Sequence, residues 1–393
     1  MRFKLEYLLI FTTILLMCLP FVIQFYTPNV KFEPLNGTIE YADSVKLTWN
    51  AWKNKSWQEN QEEILKKNMK IRPEIVRYQH ELDYQLFREF HMGDLLKGKD
   101  DYLFSWGWSD ARCCINNLDS DSLNSFVQKL KVLSDLFKQK GKYLRVIIAP
   151  SKEEIFADKL PDKYSYNNPT NDYNNYKKAL DENKIEYWDL LSFYQSIMDT
   201  ATYPVYSKTS VHWTKYGAHF TILKLLDDVN TYFNNLLPTI YVSSSVVSKF
   251  DNGDGDTETT LNLMSRIDTS DFLYFTYDVH QKENAFKPKM LTIGDSFYWG
   301  IKGCHRLQDI YSMESKYLFY YSTTYYPTWD PPKPVKELDI VEEIKTADGL
   351  ILLNSSHNLL NFPFGFQYDI DKVIDGLRTL PNKSTEGRIE ESI

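Results

Sequence analysis

Cysteine is scarce in this chain: four in 393 residues, none in a C-x-x-C pair. That excludes the thiolate frameworks that hold structural zinc. Histidine is sparse too, at seven, with no ligand-like spacing. Basic charge is not in excess: 45 Lys and Arg stand against 53 Asp and Glu, a net charge of −8, with no basic patch. A nucleic-acid partner is therefore not expected. The acidic stretch Asp251 to Asp256 lacks the calcium-loop register, because Gly253 and Gly255 occupy positions where ligands would fall. Asp256 or Thr257 capping a short helix, Thr259 to Ser265, is the better reading. No cofactor and no metal is expected. No internal repeat is visible. Vicinal Cys113 and Cys114 leave a disulfide from Cys304 to one of them as one arrangement, with an odd thiol remaining.

What the chain does have is apolar and aromatic mass. Hydrophobic residues make up 43%, enough for a globular core, and aromatics 15%, with 28 Tyr and 9 Trp. Arg2 and Lys4 precede an uncharged run from Tyr7 to Tyr26, about the length needed to span a bilayer. The positive flank favours a cytoplasmic amino terminus with the rest outside. A signal peptide and an anchor both fit; the lack of a small-residue A-x-A site after the run favours an uncleaved anchor. Pro20 is tolerated in a lipid-embedded helix. Met17 before Cys18 argues against lipidation. The expected organisation is a cytoplasmic amino terminus (1–6), a transmembrane anchor or signal (7–26), a tether with two or three lead-in helices (27–97), a main domain (98–381) and a disordered tail (382–393).

Within the main domain, helical and strand patterns alternate. Asp119 to Gly141 reads as a helix with Leu123, Phe126, Leu130, Leu133 and Phe137 on one face. Asn171 to Lys184 reads as another. Leu144 to Pro150, Glu186 to Leu190 and Gly349 to Asn354 read as strands. Such alternation implies a parallel α/β sheet.

The segment Met290 to Gly300, MLTIGDSFYWG, is the most informative. An apolar strand runs into a Gly-Asp-Ser turn that presents Ser296 at the carboxyl end of a parallel strand, where ligands of such sheets sit. A serine there is a candidate nucleophile if a base reaches it. His212 supplies one. It precedes Thr214, a good N-cap for a helix from Lys215 to Leu226, so it lies on a loop entering a helix. Trp106, Trp108, Trp213 and Trp299 stand beside these blocks, and flat aromatic faces suit sugar rings. Aromatic core packing is the competing reading for each.

These blocks resemble the SGNH-hydrolase-like family of the alginate O-acetylation proteins AlgX and AlgJ and the bacterial DHHW-motif proteins. Four segments match in order: Gly98-Lys99-Asp100-Asp101-Tyr102-Leu103-Phe104; Val146 to Lys152 followed by Leu160-Pro161; His212-Trp213-Thr214; and Gly294-Asp295-Ser296-Phe297. The resemblance implies a permuted SGNH-hydrolase-like sheet flanked by helices. Rejoined in the family's order, the chain runs serine strand, asparagine strand, proline strand, aspartate strand, histidine loop. Asn354 then falls where an oxyanion-hole asparagine belongs, with the Ser296 N–H as a second donor. A strand-end turn residue is the alternative reading of Asn354. His357 reads as a loop residue.

There is one departure. Where the family carries aspartate two residues before the histidine, this chain has Ser210. Its hydroxyl can accept a hydrogen bond from His212 but brings no charge. Asp189 reads as structural, and Asp295, adjacent to Ser296, as pointing elsewhere. The resemblance implies an extracytoplasmic O-acetyltransferase or acetylesterase that acts on a cell-surface polysaccharide, with Ser296 as nucleophile and His212 as base. A membrane-bound O-acyltransferase would be the acetyl donor. Ser210 keeps open a non-catalytic carbohydrate-binding or assembly protein on a hydrolase scaffold.

Overall fold

A computed structural model describes residues 2–26, 31–37, 44–90, 94–113, 119–164, 166, 168–249, 253–328 and 330–382. Cys114, Asp251, Asn252 and the tail beyond 382 lie outside the described residues. The chain divides into two compact units, residues 1–93 with 256–267, and residues 94–255 with 268–393.

The first unit is helical. It contains α1 (Arg2–Tyr26), α2 (Trp49–Lys53), α3 (Ser56–Asn68) and α4 (Arg72–Phe87). At 25 residues, α1 is about 37 Å long. Among the described residues no helix is long and apolar enough to cross a membrane. Side chains of α1 are described without a break only from Lys4 to Pro20, and Leu8, Leu9, Ile10, Phe11, Leu15 and Leu16 within it are exposed. In the same unit Glu81 accepts the N–H groups of Met264 and Ser265, both at 2.9 Å. The capped helix expected at Thr259 to Ser265 is instead a short turn of helix, Asp256–Thr260. It ends early because Asn262 takes a left-handed φ of 54° and spends its amide on Thr260 and Asn36.

The second unit is the α/β domain. A short antiparallel pair, β1 (Leu95–Lys97) and β2 (Leu103–Ser105), opens it, followed by α5 (Trp106–Cys113) and α6 (Ser120–Gln139). Then come β3 (Tyr143–Ala149), α7 (Lys152–Ile155), α8 (Asp172–Glu182), β4 (Tyr187–Asp189), α9 (Leu191–Met198) and α10 (Lys215–Tyr232). An antiparallel ribbon, β5 (Thr239–Ser248) and β6 (Phe272–His280), precedes β7 (Met290–Gly294), β8 (Lys316–Phe319), β9 (Thr323–Tyr325), β10 (Lys333–Pro334) and β11 (Gly349–Ser355). Seven strands form the main sheet in the order β10-β9-β8-β7-β11-β3-β4.

From β8 to β4 every pairing is parallel. The serine strand, asparagine strand, proline strand and aspartate strand therefore lie side by side, although the chain visits them in another sequence. The expectation of an all-parallel sheet needs correction: β9 and β10 run antiparallel. Only Tyr320 to Ser322 join β8 to β9, and a link that short can only turn the chain back.

The central strands are buried on both faces, as parallel strands covered by helices are. Leu350 and Leu352 of β11 pack with α6, α8 and the helix Ile370–Arg378. Ile351 and Leu353 pack on the opposite face with α9, α10 and the helix Tyr298–Lys302. Helix caps are chosen by short polar side chains: Asp119 accepts the Ser122 N–H, Asn171 the Asn174 N–H and Thr214 the Gly217 N–H. Of the arrangements open to Cys304, a disulfide with Cys113 is not formed: both are free thiols, Cys304 buried in the core and Cys113 bonded to the Tyr164 carbonyl.

Candidate active site

The serine turn is fixed by the sheet itself. β7 pairs with β11 on one side and β8 on the other, with Gly294 opposite both Leu353 and Phe319. Gly294 must be glycine, since a Cβ there would sit 2.7 Å from the Leu353 carbonyl oxygen. The next residue, Asp295, is fully buried. Its carboxylate accepts the N–H groups of Phe297 (3.1 Å) and Ser355 (2.7 Å) and the Ser355 hydroxyl. Burial raises the Asp295 pKa, against the opposing pull of those hydrogen bonds. The chain then turns at once into the helix Tyr298–Lys302, leaving Ser296 partly exposed at the carboxyl end of β7.

The histidine loop, Ser207 to Thr214, belongs to no sheet beyond an isolated bridge between Tyr206 and Trp213. Side chains hold it. The Lys152 ammonium, fully buried, donates to the carbonyls of Leu103 (2.7 Å), Lys208 (2.5 Å) and Ser210 (3.1 Å). Asp268 accepts the Lys208 N–H, Asp254 the Lys215 N–H, and Ser207 donates to the Asp254 carbonyl. At the far end Thr214 caps α10.

These two structures bring His212 Nε2 to 2.7 Å from Ser296 Oγ. A base takes a hydroxyl proton at this separation. The imidazole lies edge-on to Phe297 and Trp108, with centroids at 5.1 and 5.9 Å. Ser210 is fully buried, and its hydroxyl accepts the backbone N–H of His212 at 3.1 Å. Asp189 is held by Lys177, by the Tyr173 hydroxyl (2.7 Å) and by the Leu191 N–H (3.1 Å).

Asn354, the last residue but one of β11, lies one past the partner of Gly294, so it flanks the serine turn. Its side chain is 1% exposed, and among the described residues neither amide atom has a hydrogen-bond partner. Such a group is costly to bury unpaired. Reaching it requires a neighbour to move aside.

The four tryptophans part company. Trp106 is 51% exposed at the start of α5. Trp108, partly exposed, stacks on His357 with centroids 3.4 Å apart. Trp299 is partly exposed and packs against Tyr317, Phe319 and Tyr325. Trp213 is only 3% exposed, and its assignment to substrate is corrected: it is core, stacked on Tyr194 at 5.6 Å, with its indole over Gly300. A large ring beside a glycine is the sign of a packing pair.

Three residues of this neighbourhood escaped the sequence reading as site residues. In the sequence Lys152 is only the last residue of the segment Val146 to Lys152. His357 was read as a loop residue; it sits in the Trp108 stack, and burial, with His212 as the second cause, pushes its pKa well below the usual range. Tyr320, in the β8–β9 turn, donates its backbone N–H to the Gly294 carbonyl at 2.9 Å, just before the serine turn. Nothing in its sequence context, FYYSTTYY, distinguishes it. Among the described residues no group of His, Cys, Asp or Glu is arranged to hold a metal.

Compared with known proteins, residues 95–272 match the family described as "SGNH hydrolase-like domain, acetyltransferase AlgX". That span includes Lys152 and His212 and stops short of Ser296. No curated protein matches the chain. Among solved structures, the O-acetyltransferase domain of Pseudomonas putida AlgJ is similar, with 15% identity and a TM-score of 0.44, covering 71% of this chain and 98% of that one. Pseudomonas aeruginosa AlgX is similar at 13% identity and a TM-score of 0.43, covering 72% of this chain and 67% of that one. Bacillus cereus PatB1 is similar at 13% identity and a TM-score of 0.42, covering 69% and 98%.

Proposed function

We propose that the chain, whose residues 95–272 match the family described as "SGNH hydrolase-like domain, acetyltransferase AlgX", is a serine-dependent O-acetyltransferase or acetylesterase acting on a cell-surface polysaccharide. The observation that carries this reading is the 2.7 Å contact between His212 Nε2 and Ser296 Oγ at the carboxyl end of β7. His212 takes the hydroxyl proton as Ser296 Oγ attacks the acyl carbonyl carbon. The tetrahedral intermediate collapses, the leaving oxygen takes the proton back, and an acyl-enzyme remains. A sugar hydroxyl, deprotonated in turn by His212, then receives the acetyl group; water in its place gives hydrolysis. The Ser296 N–H, and Asn354 once uncovered, would stabilise the oxyanion, because donors aimed at developing charge act on the transition state. The exposed Trp106 and the partly exposed Trp108 suit a sugar acceptor.

Turnover of p-nitrophenyl acetate, with and without polysaccharide acceptors, tests the reading. Ser296→Ala should lower kcat by at least about 10³-fold. Activity that survives Ser296→Ala overturns the proposal. Ser210 favours a second reading, a carbohydrate-binding protein on this scaffold, since losing the acid's charge costs about 10⁴-fold in the protease template. A native protein without turnover, activated by Ser210→Asp, would establish that reading instead.

We further propose that α1 anchors the chain in the membrane with the α/β domain outside, and that a membrane-bound O-acyltransferase supplies the acetyl group. The uncharged run Tyr7 to Tyr26 and the exposed apolar side chains of α1 support the anchor. Cell fractionation and sequencing of the mature amino terminus test it. A soluble chain beginning after Tyr26 overturns it.

A further inference from the structure

β7 and β11 separate at the site itself. Their ladder runs from Met290 opposite Gly349 to Gly294 opposite Leu353 and stops there, because β7 turns away at Asp295. β11 continues for two more residues, Asn354 and Ser355, which pair with Ile148 and Ala149 of β3. Its edge toward β7 would be left open, and buried backbone donors need partners. The Asp295 side chain closes that edge. Oδ2 accepts the Ser355 N–H at 2.7 Å, where β7 no longer offers a carbonyl, and the Ser355 hydroxyl as well. Oδ1 accepts the Phe297 N–H at 3.1 Å, inside the serine turn. One carboxylate thus ties the turn that carries Ser296 to the end of β11. Asp295 is itself held: its backbone carbonyl accepts the Tyr317 hydroxyl from β8 and the Tyr298 N–H (3.2 Å) from the helix that follows.

Asn354 sits between two fixings. Leu353 before it lies in the β7 ladder, and Ser355 after it is held by Asp295. The Asn354 amide is buried with neither atom paired among the described residues, at a cost of about 1–3 kcal/mol for each unsatisfied group. On a backbone free to relax, such a side chain would find partners. Pinned on both sides, it keeps its donor for a ligand.

We propose that Asp295 is a positioning residue for acyl transfer: by bracing Ser355 it holds the Asn354 amide beside the Ser296 N–H, where the oxyanion forms. This rests on the serine acyl-enzyme reading. Asp295 exchanges no proton and acts only through these contacts. As Ser296 Oγ bonds to the acyl carbon, its proton goes to His212 and the carbonyl π electrons move onto oxygen. Donors fixed beforehand meet that charge without rearrangement.

The test is a double-mutant cycle in the full-length protein with p-nitrophenyl acetate. Asn354→Ala should lower kcat about 10²-fold, in the range for losing one oxyanion donor. Asp295→Asn keeps an oxygen for the Phe297 N–H but turns an amide NH₂ on the donors of Ser355. It should also lower kcat about 10²-fold, with KM changed less than about threefold. In the Asn354→Ala background it should cost less than about threefold more, because the brace has nothing left to position. A general structural role would instead multiply through the cycle. If Asp295→Asn shows no cooperative unfolding transition, Ser355→Ala takes its place in the cycle; it removes one hydroxyl, leaves the Ser355 N–H bond and should cost about 10-fold. The rate of Ser296 labelling by a fluorophosphonate, whose phosphoryl oxygen enters the oxyanion position, serves as the readout if ester turnover is too slow. With Ser296→Ala inactive, losses that multiply in the double variant, or native rates in Asp295→Asn or in Asn354→Ala, overturn this inference and leave the proposed function standing. Activity persisting in Ser296→Ala, or no labelling of Ser296 in the native protein, overturns the serine reading and this inference with it.

Discussion

Ser296 and His212 meet at 2.7 Å, yet the two sides of that contact are built by opposite means. The serine is delivered by backbone. β7 lies inside a hydrogen-bonded ladder on both edges, and the turn begins where the ladder ends. The histidine is delivered by side chains: a buried ammonium, two aspartates, a serine and a threonine gather a loop that has almost no ladder of its own. A ladder tolerates change at most of its side chains. A loop gathered by side chains does not, so substitutions should damage the base side of the site more than the nucleophile side.

Lys152→Met is the strongest way to expose that difference. The stem is kept, but the carbonyls of Leu103 and Ser210 lose the ammonium as donor, while that of Lys208 keeps the Leu103 N–H. Each unsatisfied group costs about 1–3 kcal/mol, partly offset by removing a buried charge, for a net loss of about 3 kcal/mol in thermal or denaturant unfolding. Turnover should fall as well, since the loop held at Lys208 and Ser210 carries His212. Native stability and activity in this variant would break the comparison.

Glu153, the next residue, sharpens it with pH. The side chain is fully buried; it accepts the Ser105 N–H at 3.3 Å through Oε1, while Oε2 has no partner among the described residues. Burial pushes its pKa up to about 7 from an ordinary 4.5, against the Lys152 charge beside it. Between those values the folded protein keeps a proton that the unfolded chain has released. Stability therefore falls as pH rises through that window and levels off above it. Glu153→Gln should remove the slope and stabilise the protein at pH 8 by at most about 3 kcal/mol, at 1.36 kcal/mol per unit. An unchanged stability-pH profile counts against this.

Gly300→Ala acts on the histidine side from the serine side. Its Cβ would lie 2.3 Å from Trp213 Nε1, beside His212 in sequence. Overpacking of this kind costs about 1–3 kcal/mol. Unfolding measurements should find about 2 kcal/mol, together with a lower kcat. A loss of stability without a loss of rate would show that Trp213 does not position the imidazole. The smallest effect is expected from Ser210→Ala, which removes one neutral hydrogen bond to the His212 N–H, about 0.5–1.5 kcal/mol. Ser210→Asp should raise the acetylesterase rate if the carboxylate reaches the imidazole.

The same contrast explains what could be read from the sequence. The strands of Met290, Leu144 and Gly349 and the helices capped by Asp119, Asn171 and Thr214 announce themselves through apolar runs and cap residues, and the structure contains each within a few residues. That Ser296 and His212 would face one another was legible because they end or enter such elements. Tyr320 was not, because it is one tyrosine among several in a turn whose conformation the chain does not advertise. The roles of Lys152 and His357 depend on carbonyls and rings brought from distant segments. The reversal of β9 and the fate of Trp213 in the core depend likewise on packing rather than on local pattern.

The order of strands also has a consequence for how the protein is made. β11 lies between β7 and β3, yet it is the last strand of the sheet to be synthesised. Until it arrives, β3–β4 and β7–β8 are separate half-sheets with open inner edges. Such long-range closure is slow because the loop entropy must be met before the contact is gained. Ser296 follows β7, and the His212 loop is held by Lys152, which follows β3, so β11 is the strand that joins the two sides of the contact.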